Sequence, residues 1–308
     1  MILKQTPDMD VVGFHIEPTN ICTLKCPGCA RTRFIDQWPQ HWKNHSLDID
    51  ELLKFLDVDL VGKTVLLCGN YGDPIYHPNF IELVVGLKSQ GANIGITTNG
   101  SYRTQNWWEQ LVSNLTSADT VTFSVDGTPE NFTQYRINAD WESIQTGMMV
   151  VANSSCRSVW KYIPFSYNQH NIEEVKELSN NIGLRHFRIE LSDRFDEQTQ
   201  SFLPDMSLIG DRYNNQIEWK SNNTPSTINP KCKRGNEHFI TAEGYYSPCA
   251  YQADYRFYYK TPFGKNKDQY DIRQYTLTEI LQRSETVNFY QTLVQQPGCQ
   301  YNCPKTAG

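Results

Sequence analysis

Three cysteines stand close together in the stretch EPTNICTLKCPGCART, as Cys22-x3-Cys26-x2-Cys29. Thiolates at this spacing can wrap one face of an iron–sulfur cube, each holding one iron. With no fourth cysteine nearby, one iron keeps an open position, which is what separates a catalytic metal centre from a structural one. The competing reading is a zinc knuckle. It needs a fourth ligand, for which His15 and His41 are the nearest candidates. Cys232, Cys249, Cys299 and Cys303 form a second group of four thiols. Four thiolates can ligate a cube completely or close a structural zinc site, and ligand count alone does not separate these two. Of the nine cysteines, Cys68 reads as a buried strand residue and Cys156 has no partner at metal spacing.

The redox setting supports metal ligation. The opening MILKQTPDMD lacks the apolar core of a signal peptide, and no apolar run approaches the length of a membrane span. These features point to the cytoplasm, where thiols stay reduced and disulfides are rare. A balance of 28 Lys+Arg against 34 Asp+Glu gives a net charge of −6, and the densest basic run, Lys231 to Arg234, holds only three cations. Such a surface has no phosphate-tracking face, so nucleic acid is not expected as a partner.

The elements that must position these cysteines follow from periodicity. Strand-like runs lie at 11–17, 64–69, 93–98, 120–125, 158–165 and 186–191, several of them apolar on consecutive positions, as in a sheet covered on both faces. Amphipathic helices separate them. Ile49, Leu52, Leu53 and Leu56 follow an Asp48-x-x-Glu51 box, Phe80, Leu83, Val84 and Leu87 repeat the spacing, and Ile172, Val175, Leu178 and Ile182 run into Gly183. Six β/α units predict an α/β fold with a parallel sheet, short of the eight units of a closed barrel: a partial (β/α)6 barrel over residues 1–195. Residues 196–308 read as a small α+β unit with a hairpin turning near Glu243-Gly244 and a final helix from a Thr276-x-x-Glu279 box to about Gln296. Its apolar content is low, and a small unit so built usually needs a staple.

A Cys-x3-Cys-x2-Cys loop after the first strand of such a barrel resembles the radical S-adenosylmethionine (radical SAM) superfamily. The resemblance spans residues 11–191 and implies a [4Fe–4S] cluster on Cys22, Cys26 and Cys29, whose open iron chelates SAM. One electron then cleaves SAM to a 5′-deoxyadenosyl radical that abstracts a substrate hydrogen. Gly72-Asp73-Pro74 looks like the family's Gly-Glu-Pro turn, which implies a role for Gly72 and Asp73 at the SAM amine. Ser124 and Asp126 resemble the ribose-binding position, and Arg136 is similar to an arginine that pairs with the SAM carboxylate. One residue departs from the pattern: Gly28 stands where the family usually has an aromatic residue against the adenine. The second cysteine group, with Gly244-x4-Cys249, looks like a C-terminal twitch domain, a shortened SPASM extension. It implies one auxiliary [4Fe–4S] cluster on Cys232, Cys249, Cys299 and Cys303.

The reaction this resemblance implies is an oxidative modification, with the auxiliary cluster accepting the substrate's electron, as in twitch-bearing alcohol dehydrogenases. The alternative is a crosslink-forming enzyme acting on a peptide or protein. Strand 1 begins at about residue 11, which leaves no N-terminal unit for a leader peptide and weakens that alternative. A third reading, a non-catalytic metal-binding or electron-carrier protein, leaves the Gly72/Asp73 and Ser124/Asp126 placements unexplained. The expected partners are a small-molecule or peptide substrate and an external electron donor such as flavodoxin or ferredoxin. Glu17, Asn168, Glu190, Asp193 and Arg194 are the substrate-facing candidates.

Overall fold

The computed structural model describes residues 11–192, 194–205, 207, 232 and 237–303. Asp193 lies outside the described residues. β1 (Gly13–Ile16), β2 (Thr64–Leu67), β3 (Asn93–Thr98), β4 (Thr120–Ser124), β5 (Arg157–Tyr162) and β6 (His186–Ile189) pair in parallel, each with the next. Between them run α1 (Ala30–Gln37), α2 (Ile49–Phe55), α3 (Phe80–Ser89), α4 (Gln105–Val112), α5 (Trp141–Ala152) and α6 (Ile172–Ile182). The six β/α units form the partial barrel that the periodicity predicts.

Local signals explain where the helices begin and end. The side chains of Asp48, Thr104 and Asp140 accept from backbone N–H groups in the first turns of α2, α4 and α5. α6 stops at Gly183, whose φ of 92° is left-handed backbone that glycine adopts without a Cβ clash. Phe80, Leu83, Val84 and Leu87 of α3 are all buried, as are Ile94 and Ile96 of β3 beneath them. Each such side chain contributes about 1.5–3 kcal/mol relative to exposure. Gly147 of α5 lets α4 come close, since a Cβ there would lie 2.5 Å from the Trp108 indole.

The C-terminal segment shows two features that the sequence pattern does not predict. Its hairpin extends the barrel sheet. β7 (Glu237–Ile240) pairs in parallel with β1, and β8 (Tyr246–Ser247) pairs antiparallel with β7. The sheet therefore has eight strands in the order β6-β5-β4-β3-β2-β1-β7-β8. The turn itself falls where expected, with Gly244 at φ 83°. The predicted final helix is also broken. The Thr276 capping box forms, but the helix it starts covers only Leu277–Leu281. Extended Arg283 then caps a second helix, Ser284–Gln291. Pro297 does not end a helix but opens another, Pro297–Asn302, because proline lacks only an N–H that a first turn leaves unused. Among the described residues no helix is long and apolar enough to cross a membrane.

Asp119 joins α3 to the sheet. Its buried carboxylate accepts from Lys88 Nζ (2.8 and 3.0 Å), Ile94 N (2.6 Å) and Thr116 N (2.7 Å). Burial pushes its pKa up, but these donors outweigh burial and hold it below the ordinary carboxylate value. Asp119→Asn is expected to cost about 3 kcal/mol at pH 7, read from urea unfolding. The lowered folded pKa makes this advantage full above the unfolded value of 3.8 and lost as pH falls through the folded one. A difference that stays constant down to pH 2 would contradict this account.

Candidate active site

The cysteine loop leaves the C-terminal end of β1 and is tied down on three sides. Asn20 donates from Nδ2 to the Lys43 carbonyl (2.9 Å) and accepts from His45 N (2.8 Å). Lys25 N donates to the Ile137 carbonyl (3.1 Å), and Asp73 N donates to that of Ile21 (3.0 Å). Cys26 is buried, Cys22 and Cys29 are half-buried, and Cys29 is the N-cap of α1. Burial and the nearby Asp73 carboxylate push the Cys22 thiol up, and burial lifts Cys26 to about 11 against the pull of Arg136. Cys22 also feels the negative charges of Cys29 and Cys26, and Cys26 that of Cys29, a crowding that cationic iron would relieve. Among the described residues no three His, Cys, Asp or Glu side chains converge closely enough to hold a single ion. A cube takes one thiolate per iron and does not require three thiols to meet on one ion.

The residues assigned to SAM sit around this loop, but several have other work. Asp73 is buried with both oxygens occupied: Oδ1 by Thr98 Oγ1 (2.7 Å) and Ile75 N (3.3 Å), Oδ2 by Asn99 N (2.6 Å) and Asn99 Nδ2 (2.5 Å). It organises the turns after β2 and β3 rather than presenting a free acceptor. Gly72 packs against the chain, not toward a ligand, since a Cβ there would overlap the Thr19 carbonyl and Asn20 backbone. Asp126 is fully buried, with Oδ2 on Arg136 Nε (2.7 Å) and Oδ1 on Ile163 N (2.8 Å). Asp126 and Arg136 thus satisfy each other. Ser124, two residues before Asp126, is buried, and its Oγ has no hydrogen-bond partner among the described residues. A buried hydroxyl left unpaired is costly, and a ligand hydroxyl or ammonium would complete it.

A cavity of about 800 Å³ opens beside the loop. It is lined by Gly28 and Ala30, either side of Cys29, and by His15, Cys68, Lys161, Arg188 and Glu190 of the sheet and its strand ends. Cys232, Cys249, Cys299 and Cys303 line it too. These four thiols lie near one another. Burial, then Cys232 and Cys303, push Cys299 up to about 12, while burial and the charges of Cys232 and Cys299 raise Cys249. Gln252 Nε2 donates to Cys299 Sγ (3.2 Å), an approach that Gly298 permits because a Cβ there would lie 2.6 Å from that nitrogen.

The radical SAM superfamily model matches residues 16–183, more than half of the chain. The chain belongs to the radical SAM superfamily. Over 119 residues it is 31% identical to the tungsten-containing aldehyde ferredoxin oxidoreductase cofactor-modifying protein of Pyrococcus furiosus, a match spanning 37% of this chain and 31% of that protein. Among solved structures it resembles Streptococcus suis SuiB bound to its precursor peptide SuiA (TM-score 0.61, 11% identity, 91% of this chain and 66% of that one). It also resembles anSMEcpe with bound AdoMet (0.58, 13%, 92% and 83%) and BtrN in complex with AdoMet and 2-DOIA (0.50, 12%, 96% and 94%). At these identities the structural likenesses establish the fold. Membership of this superfamily associates the chain with SAM and a [4Fe–4S] cluster.

Within the radical SAM barrel, the remaining candidates divide. Glu190 lines the cavity, with Arg188 Nη2 at 2.8 Å and Lys161 Nζ at 3.5 Å, and Arg194 lines it too. Cys68 is not fully buried, as its strand position suggests, but half-buried and lining the same cavity, and burial holds its thiol at about 11. Asn168 is buried and closes the turn after β5 through Phe165 N (2.6 Å) and the Asp126 carbonyl (3.0 Å), so it does not face substrate. Glu17 lies under the Tyr71-Gly72 turn and accepts from both N–H groups (2.7 and 3.1 Å), with burial lifting its pKa to about 7. The Gly28 anomaly has a steric counterpart. A Cβ there would lie 2.5 Å from the Tyr135 hydroxyl, and the Tyr135 ring stacks on Phe165 at 4.2 Å. No spacing rule marks this pairing, because residues 28 and 135 meet only through the fold.

Gly72→Ala is expected to displace the Thr19–Asn20 backbone and with it Cys22. Gly62→Ala is the control: at φ 72° it strains its own turn before β2, but open space around its Cβ position means it displaces no neighbouring backbone. Iron retained after anaerobic reconstitution should fall sharply in the first variant and little in the second. Equal iron content in both would refute the steric role.

Proposed function

We propose that the protein cleaves SAM reductively and oxidises a substrate held in the central cavity, between two [4Fe–4S] clusters. The observation that carries this reading is the cavity itself, which is lined both by the residues flanking Cys29 and by all four C-terminal cysteines. In this reading residues 1–195 hold the first cluster through Cys22, Cys26 and Cys29, and residues 196–308 hold the second through Cys232, Cys249, Cys299 and Cys303. With SAM, the first cluster would supply the 5′-deoxyadenosyl radical, and the second an acceptor for the substrate's electron. The protein's own part is to hold these groups apart across one chamber and keep competing solvent out. Ser124 Oγ is the group best suited to bind SAM directly. Gly72, Asp73, Asp126 and Arg136 would act on SAM from one step behind, as positioning residues. Glu190, Arg188 and Lys161 would orient substrate, and a flavodoxin or ferredoxin would deliver the electron that starts each turnover. A peptide-modifying variant of the same chemistry is the second reading, favoured by the size of the chamber.

Two measurements test this. Anaerobically reconstituted protein should contain about eight iron and eight sulfide per chain, and replacing Cys22, Cys26 and Cys29 together by Ala should leave about half. Stoichiometric zinc at either site would refute the assignment, as would S-adenosylhomocysteine as the only SAM product in place of 5′-deoxyadenosine. Cys249→Ala, compared per folded and first-cluster-loaded molecule, should still cleave SAM yet release substrate unoxidised. Normal oxidised product from that variant would leave the second cluster a purely structural staple.

A further inference from the structure

Next to the central cavity lies a second one, of about 750 Å³, that the chemistry above does not use. It sits between the α1–α2 connection and the segment after β8, and its walls are aromatic: Phe34, Trp38 and Trp42 face Tyr71 and Tyr255, with Tyr259 at the mouth. The rings pack edge to face, Phe34 against Tyr255 at 6.0 Å, Trp38 against Tyr255 at 6.1 Å and Trp42 against Tyr71 at 6.0 Å. Trp38 keeps 39% of its surface exposed and Tyr259 62%, so the walls present aromatic surface that the fold itself does not cover. The two cavities meet at a shared partition. Tyr71 and Tyr255 line both, and Tyr255 N donates to the Tyr71 hydroxyl (3.0 Å). Asn20, which ties the α1–α2 connection to the cysteine loop, lines the aromatic cavity as well.

We infer that the aromatic cavity is a subsite for a polypeptide substrate: it holds a large aromatic side chain a few residues away from the one that reacts in the central cavity. The inference rests on the radical SAM reading of the central cavity and deepens it by naming the substrate class. Size and continuity favour a chain. A pocket of roughly 300–1,000 Å³ already accommodates a whole small ligand, so a small substrate filling the central cavity has no need of a second one of similar volume. An extended peptide needs just such a row of pockets, with side chains entering them along its length. Charge favours acidic residues beside the aromatic one. Lys43 and Lys267 line the cavity and take no carboxylate partner among the described residues, while Arg273 is held by Asp271 (2.7 Å). Glu243 is the opposing charge on this rim, and Glu17 is committed to the Tyr71 and Gly72 N–H groups.

Reconstituted holoenzyme with SAM bound should be titrated with the synthetic peptide acetyl-Ser-Glu-Trp-Glu-Ser-amide, following binding by calorimetry. Replacing its Trp by Gly, or its two Glu by Lys, should each weaken binding about tenfold, as should Trp38→Ala in the enzyme, the loss expected for one aromatic partner. Trp38→Phe should restore most of the affinity, and Lys43→Glu, on an exposed side chain, should reverse the preference between Glu- and Lys-flanked peptides. Absence of peptide binding, or binding indifferent to Trp38 and to the peptide's Trp, would overturn the inference. Indole-3-acetate binding as tightly as the peptide would also overturn it, in favour of a small aromatic acid. Formation of 5′-deoxyadenosine by the wild-type enzyme separates the two levels. Its failure removes the radical SAM reading, whereas peptide binding can fail while it persists.

Discussion

The open end of the sheet is held together by one buried carboxylate. Asp73 takes donors from Thr98 and Asn99 after β3 and from Ile75 in its own turn, and its backbone N–H reaches the Ile21 carbonyl after β1. Asn99 Nδ2, held by Asp73, also lies 3.7 Å from Cys22 Sγ. Three consecutive strand-end loops therefore share one hub. Burial raises the Asp73 pKa against the pull of these donors, and a carboxylate in such a place is tolerable only because every oxygen is satisfied. Gly72 belongs to the same arrangement, because only a residue without a Cβ lets this turn lie against Thr19 and Asn20. The short Asp side chain, where the family pattern has the longer Glu, fits a role that stays within the protein.

A second hub at β4 works the same way with an ion pair. Arg136 and Asp126 neutralise each other, and Asp126 also anchors Ile163 beyond β5, while its carbonyl accepts from Tyr167 and Asn168. A buried charge pair of this kind costs desolvation and adds little net stability, but breaking either partner leaves an uncompensated charge. Its consequence here is positional. The pair sits beside Cys26, and both charges are taken up within the protein, whereas the buried Ser124 Oγ has no hydrogen-bond partner among the described residues.

The sequence made the barrel legible because its signals are local. Strand and helix periodicity, the Asp48 cap and Gly183 all act within a few residues, and the cysteine spacing sits in one loop. The pairing of β7 with β1 was not legible, since a strand of four residues carries no mark of which neighbour it joins. Nor was the break in the last helix, where the capping box at Thr276 was read correctly but Arg283 and Pro297 redirect the chain. At the site, spacing marks the polar residues at or beyond strand ends but not what they pair with: Asp73, Asp126 and Asn168 each meet a backbone group brought to them only by the fold. Cys68 errs in the other direction, since an apolar run hides which face of its last residue meets a cavity.

The pairing of β7 with β1 explains how one cavity can be lined both by the residues flanking Cys29 and by the C-terminal cysteines. β1 delivers the first group at its C-terminal end, and β7 runs parallel to it, with Glu17 N donating to the Ile240 carbonyl to carry the ladder past the strand. Both chains thus leave the sheet at the same rim. β7 then turns at Gly244 and returns through β8, so that Cys249 comes back to the same side as the cavity. A C-terminal unit attached by a flexible linker would have to pay the entropy of docking before its cysteines met the chamber. Here backbone hydrogen bonds to the central strand fix that geometry directly. The same arrangement brings Tyr255 against Tyr71 and so creates the partition between the two cavities. Register between β1 and β7 is therefore the variable that sets the distance between the cysteine groups. A slip of one residue would exchange the faces that Phe239 and Ile240 occupy and carry Cys249 away from the cavity with them.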